Sequence, residues 1–224
     1  MRPEAIEIIH HPAPKAAAGD LLIMLPGYDM ACGDFARHGL VQAVHDREWP
    51  VDIVAAQPDL GLYLDGTVAE RIATEVVATA RRSDARLWFL GVSLGAMGAL
   101  LYARAYPGHV AGIVLLAPFL GSAGIIGEIE QAGGLVGWQP GDIRPSDPER
   151  QLLAWLKDHH AARPGPPALY LGYGRSDRFR RSASLLADHL PPDRVIGIDG
   201  GHDWETWRRL WHMMLERRPF APAP

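Results

Sequence analysis

Six short, almost unbroken apolar runs constrain this chain more than any other feature. They are residues 21–27 (LLIMLPG), 51–58 (VDIVAAQP), 87–93 (LWFLGVS), 110–118 (VAGIVLLAP), 167–174 (PALYLGYG) and 194–201 (RVIGIDGG). A strand with one face in water alternates apolar with polar residues. A strand covered on both faces has no such need, so continuous runs of this length belong to a parallel sheet sandwiched between helices. Helical patterns separate the runs, at 67–82, 94–106, 148–157, 182–190 and 203–217. Strand-helix alternation at this spacing implies right-handed crossovers. The expected architecture is α/β, a doubly wound and mostly parallel sheet of about seven strands flanked by helices. Residues 5–10 (AIEIIH) supply the further edge strand.

At 224 residues the chain suits one domain, taken as 1–218, with 219–224 as a flexible tail. The alternation lapses between Phe119 and Asp147, a glycine-rich stretch read as a loop or lid-like insertion over 119–147. Val110–Gly127 contains no charge, but Pro118, Gly121 and Gly124 interrupt it, which favours a buried strand running into a loop over a membrane span. The first fifteen residues carry Glu4 and Glu7 and no apolar core of a signal peptide. A net charge of −4 gives no general attraction to nucleic acid or to anionic membrane. The single cysteine, Cys32, excludes an internal disulfide and a cysteine-based zinc site. It is read as a small hydrophobe, and the expected compartment is the cytoplasm.

One of the apolar runs ends in chemistry. Gly91-Val92-Ser93-Leu94-Gly95 follows a strand directly and opens an Ala/Leu-rich helical run. A serine on a sharp strand-to-helix turn projects its hydroxyl above the sheet. Small residues two before and two after it keep neighbouring backbone clear. The helix that follows aims its positive end at the place where negative charge develops. The bland alternative is a glycine-rich turn that merely packs a helix on a strand.

A serine hydroxyl is a weak nucleophile until a base takes its proton, and that base must itself be oriented. After such a turn the acid and the histidine come in that order, following later strands. Asp177 follows the run 167–174, and His202 follows the run 194–201. The 25 residues between them leave room for one helix and one strand. Asp177 has Arg175, Arg178, Arg180 and Arg181 nearby in sequence, so a surface ion pair is its competing reading. Asp199 and Asp203 are fallback acids, although Asp203 better suits the start of the last helix. The adjacent pairs His10-His11 and His159-His160 read as solvated, and no histidine pair has metal-ligand spacing, so no metal is expected. Acyl transfer also needs two N–H donors for the oxyanion. Leu94, next to the serine, supplies one, and Tyr28, in the turn Pro26-Gly27-Tyr28-Asp29, supplies the other.

With LPGY, GVSLG, GRSD and GGHDW in this order, the chain resembles the α/β-hydrolase family over about residues 20–217. It is most similar to the small bacterial carboxylesterases and thioesterase-like members. Relatives often carry His-Gly where this chain has Pro26-Gly27. The resemblance implies attack by Ser93 on an acyl carbonyl, with His202 as base and Asp177 as its orienter. The covalent acyl-serine is then hydrolysed without any cofactor. Tyr28, Met30, Phe119 and Leu120 are the expected substrate contacts, with Leu94 and Tyr63 near them. They suggest a small-molecule ester with a small or medium acyl group. A thioester or amide stands behind it, and acyl transfer or C–C cleavage remain alternatives on the same fold. A non-catalytic binding protein is the reading from a different class. Oligomeric state is not legible.

Overall fold

The computed structural model describes residues 5–14, 19–80, 85–144, 146–159 and 167–220. Seven strands form one sheet: β1 (Glu7–His11), β2 (Asp20–Leu25), β3 (Val51–Gln57), β4 (Arg86–Val92), β5 (Val110–Leu116), β6 (Ala168–Gly174) and β7 (Val195–Ile198). Their spatial order is β1-β3-β2-β4-β5-β6-β7. Only β1 runs antiparallel, pairing Glu7 with Gln57 through to His11 with Ile53. Every other neighbour pair is parallel. The expected edge strand is therefore present, shifted slightly from 5–10.

Why the runs are continuous is now visible in the packing. Leu21, Ile23 and Leu25 face one core, while Leu22 and Met24 face the other. Leu87 and Phe89 on β4 divide in the same way from Trp88 and Leu90. The central strands β2, β4 and β5 thus bury both of their side-chain rows, as a two-sided parallel sheet requires, whereas the edge strands β1 and β7 do not. One local accommodation is glycine-specific. A Cβ on Gly112 of β5 would lie 2.1 Å from the Trp88 ring, so only glycine leaves space for the indole.

The helices cover both faces. Between β2 and β3 lie α1 (Asp34–Arg37) and α2 (Leu40–His45), two short helices absent from the sequence reading. After β3 comes α3 (Leu60–Leu64), capped by the Asp59 carboxylate on Gly61 N–H. The expected helix over 67–82 is realised as α4 (Val68–Arg71), a π-helical stretch (Ile72–Val77) and α5 (Ala78–Ala80). Next are α6 (Leu94–Ala105), α7 (Ala123–Gln131), α8 (Pro148–Asp158), α9 (Arg180–Ala187) and α10 (Trp204–Glu216). Proline at the first position of α8 and the Asp147 side chain on Arg150 N–H mark its start, where the sequence signals put it.

The 119–147 segment is the one expected as a loop or lid-like insertion. It carries α7, whose Ile125, Ile126 and Ile129 are buried in the core together with Leu135 and Trp138. Within the stretch 219–224 expected as a tail, Phe220 is buried. Phe220 packs against Trp88 and Trp49, and its carbonyl accepts from the Arg86 guanidinium, 2.7 Å away. Arg86 in turn forks onto Asp20 at 2.7 and 2.8 Å, so Phe220 is tied to the start of β2 and β4. Residues 221–224 lie outside the described residues, as does His160. His11 and His159, expected in solvent, are partly buried, and burial lowers both of their pKa values. No helix among the described residues is long and apolar enough to cross a membrane.

Candidate active site

The site is built where strands end and helices begin. β4 stops at Val92, α6 starts at Leu94, and Ser93 bridges them with φ 54° and ψ −114°. A non-glycine residue in that conformation is strained and persists only when its surroundings over-determine it. Here they do. Ser93 N–H donates to the Leu116 carbonyl at 3.0 Å, and the Ser93 carbonyl accepts from Phe119 N–H at 3.1 Å. The flanking glycines leave the backbone room to close. A Cβ on Gly91 would lie 2.3 Å from Ala96 Cα, and one on Gly95 would lie 2.1 Å from the Leu25 carbonyl oxygen.

Asp177 stands in the turn after β6, its N–H bonded to the Gly174 carbonyl at 3.1 Å. One carboxylate oxygen accepts from Phe179 N–H at 2.7 Å, which aims the other at the imidazole. His202 follows β7 by a glycine turn. That turn lies so close to β6 that a Cβ on Gly174 would be 2.3 Å from the Gly200 carbonyl oxygen. The three side chains meet. His202 Nδ1 lies 2.9 Å from Asp177 Oδ2, and His202 Nε2 lies 3.1 Å from Ser93 Oγ. With the Nδ1 proton donated to the carboxylate, Nε2 presents its lone pair to the serine hydroxyl. Ser93 is 5% exposed and Asp177 1%, so the carboxylate is shielded from competing water.

The competing acids have other partners. Asp199 pairs with Arg175 at 3.0 Å on the surface. Asp203 caps α10 by accepting from Thr206 N–H at 2.9 Å, the bond that chiefly lowers its pKa. The neighbouring arginines do not engage Asp177 among the described residues. Arg181 pairs with Glu130, and Arg178 lies over the Phe179 ring at 4.9 Å.

Two aromatic rings absent from the sequence reading hold the imidazole. Phe179 and Trp207 stand edge-on to His202 at 5.1 and 5.0 Å, each at 86° to its plane. Phe119 packs on Phe179 at 5.4 Å. The signal was present in the spacing: Phe179 is two residues beyond Asp177, and Trp207 lies in the first turns of the helix that Asp203 caps.

Beside the serine, the turn after β2 closes tightly. A Cβ on Gly27 would be 3.1 Å from Ser93 Cβ, and Asp29 adopts a positive φ of 60°. No described hydrogen bond occupies the backbone N–H of Tyr28 or of Leu94. A cleft of about 390 Å³ opens here, lined in part by Tyr28, Met30, Gln57, Tyr63 and Leu94. The Tyr28 side chain is 60% exposed at its mouth. The Tyr63 hydroxyl is buried without a described partner, and burial pushes its pKa up. Leu120, expected as a substrate contact, is instead 1% exposed and packed in the core, because the chain turns inward after Phe119. Cys32 is also buried, which raises its thiol pKa and leaves it unreactive. No group of three or more His, Cys, Asp or Glu side chains among the described residues is placed to hold a metal ion.

Comparison with solved structures agrees on the architecture. An S-formylglutathione hydrolase from Staphylococcus aureus superposes with a TM-score of 0.64 at 13% identity, covering 96% of this chain and 98% of its own. The fold is that of the α/β hydrolases. A thermophilic esterase from Thermogutta terrifontis gives 0.62 at 15% identity, covering 96% and 94%. A monoacylglycerol lipase from Paleococcus ferrophilus gives 0.60 at 14%, covering 96% and 98%. No family profile and no curated protein sequence matches the chain. At such identities the likeness carries the fold alone, and chemistry must be argued from the site.

Proposed function

We propose that the chain is a serine hydrolase that cleaves carboxylic esters through an acyl-Ser93 intermediate. The observation that carries this reading is the continuous hydrogen-bonded chain Ser93–His202–Asp177, with spacings of 3.1 and 2.9 Å. His202 takes the serine proton as Oγ attacks the acyl carbonyl, and Asp177 holds the resulting imidazolium. The carbonyl oxygen becomes an oxyanion, received by the Leu94 N–H at the positive end of α6 and by the Tyr28 N–H. His202 then delivers its proton to the departing alkoxide. Water, activated by the same imidazole, hydrolyses the acyl-serine and regenerates the site. The cycle needs no cofactor.

The cleft, at about 390 Å³, is at the small end for ligand sites, which favours a small or medium acyl ester. Met30 and Tyr28 line the cleft, and Phe119, packed on Phe179, is a further apolar contact in this reading. The names of the structural neighbours, esterase and lipase among them, are in keeping with it. Labelling with a fluorophosphonate and measuring intact mass tests the proposal. Wild type should gain one adduct and Ser93→Ala none, with both proteins folded. Full esterase activity in Ser93→Ala would overturn the assignment.

A further inference from the structure

Met30 was expected as part of the substrate wall, yet its sulfur turns back onto the chain. Gly27 N–H donates to Met30 Sδ at 3.1 Å, so the thioether supplies the acceptor that closes the 27–30 turn. The same sulfur lies 2.9 Å from where a Gly27 Cβ would be, a point itself 3.1 Å from Ser93 Cβ. Gly27 N–H is thereby committed to sulfur, while the next N–H along, that of Tyr28, has no described partner. The positive φ of Asp29 shows how tightly the intervening residues are bent.

We infer that Met30 is a positioning residue for the Tyr28 N–H, and that it is the site where peroxide oxidation switches the serine site off. The inference rests on the serine-hydrolase reading above. Met30 is only half-buried and lines the open cleft, whereas Met24, Met97 and Met214 are buried. Met213, on α10, is the exposed methionine among the described residues. In the oxidation, a sulfur lone pair attacks one peroxide oxygen, an S–O bond forms and the O–O bond breaks. The second oxygen leaves as water, so sulfur loses two electrons and the peroxide gains them. The product is a bulkier, polar sulfoxide in a place where the sulfur already touches the turn. The turn must move, and it carries the Tyr28 N–H away from the reacting carbonyl.

The test is kinetic and chemical on the full chain. Met30→Leu keeps the volume and removes the acceptor, and its kcat should fall about tenfold with little change in KM, as expected for a displaced transition-state donor. Hydrogen peroxide should bring wild type down to a similar level, the loss of activity following the added oxygen on the Met30 peptide and not that on the exposed Met213. Treatment with methionine sulfoxide reductase should restore the activity. Met213→Leu should behave as wild type before and after peroxide, and Met30→Leu should lose nothing further. Full activity of protein oxidised at Met30 would overturn the inference, as would wild-type kcat in Met30→Leu. Untreated wild type that neither labels with fluorophosphonate nor cleaves esters would overturn the serine-hydrolase reading and this one together.

Discussion

The turn that carries Ser93 and the segment 119–147 are held in place by opposite means. At the turn, backbone presses on backbone: Gly91 against Ala96, and Gly95 against Leu25, at separations that admit no added carbon. In the segment, side chains hold the chain. Glu128 accepts from both Nη atoms of Arg150, at 2.8 and 2.7 Å, and from the Trp138 indole at 2.7 Å. Lys157 of α8 donates to the Trp138 carbonyl, and Arg150 also reaches Asp147. Backbone contacts of the first kind fix a reactive atom within a fraction of an ångström, because no rotamer can relax them. Networks of the second kind tolerate adjustment. The contrast separates a turn fixed by backbone contacts from a segment held by side-chain networks.

The sharpest way to break this comparison is at the carboxylate. Asp177→Asn should leave the fold intact while kcat for ester hydrolysis falls about 10⁴-fold, because the amide favours the wrong imidazole tautomer. Asp199→Asn and Asp203→Asn should have far smaller effects. If either of them, and not Asp177→Asn, abolished turnover, the acid would be misassigned. Steady-state kinetics with a chromogenic ester decides between them.

Gly95→Ala comes next. Its Cβ would meet the Leu25 carbonyl oxygen at 2.1 Å, and backbone cannot swing aside as a side chain can. A loss of about 3 kcal/mol or more is expected in urea unfolding, with the serine displaced. Gly124→Ala, in the other region, meets nothing within 4 Å and should be neutral or slightly stabilising, since alanine favours the helix. Equal effects at the two glycines would remove the distinction.

Glu128→Gln should have the smallest effect, about 1 kcal/mol or less, because the Glu128 side chain is 43% exposed and solvent screens its ion pair. Hydrogen bonds from Arg150 first and Trp138 second hold its pKa down to about 2. A depressed carboxylate contributes fully above its ordinary value of 4.5 and loses that contribution as pH falls toward about 2. Amide-exchange protection over 123–138, taken relative to the intrinsic exchange rate at each pH, should therefore fall on acidification in wild type and depend less on pH in Glu128→Gln. An identical acid response in both proteins would show that this network does not hold the segment. Activity near neutral pH should barely change.

Much of this could be read before any coordinates. The six apolar runs all became strands, because burial on two faces leaves so distinct a pattern. Ser93, Asp177 and His202 were each legible as the residue at or just beyond the carboxyl end of such a run. Harder to read were α1, α2 and α7. These are short helices whose burial comes from contacts distant in sequence, such as Trp211 of α10 bonding the Leu40 carbonyl. Local periodicity over four to nine residues is too weak to announce them.

By itself, then, the sequence determined the sheet, the chain order of the three polar residues and the glycines that let the backbone close around them. Each of these follows from local sterics or from a row of apolar side chains, and both are written in neighbouring letters. Only the tertiary structure decided that Asp177, rather than Asp199 or Asp203, reaches the histidine. It also placed Phe179 and Trp207 edge-on to the imidazole, sank Leu120 into the core and turned Met30 onto Gly27. Those outcomes depend on side-chain direction across contacts between separate elements, and direction of that kind is set only when the elements pack.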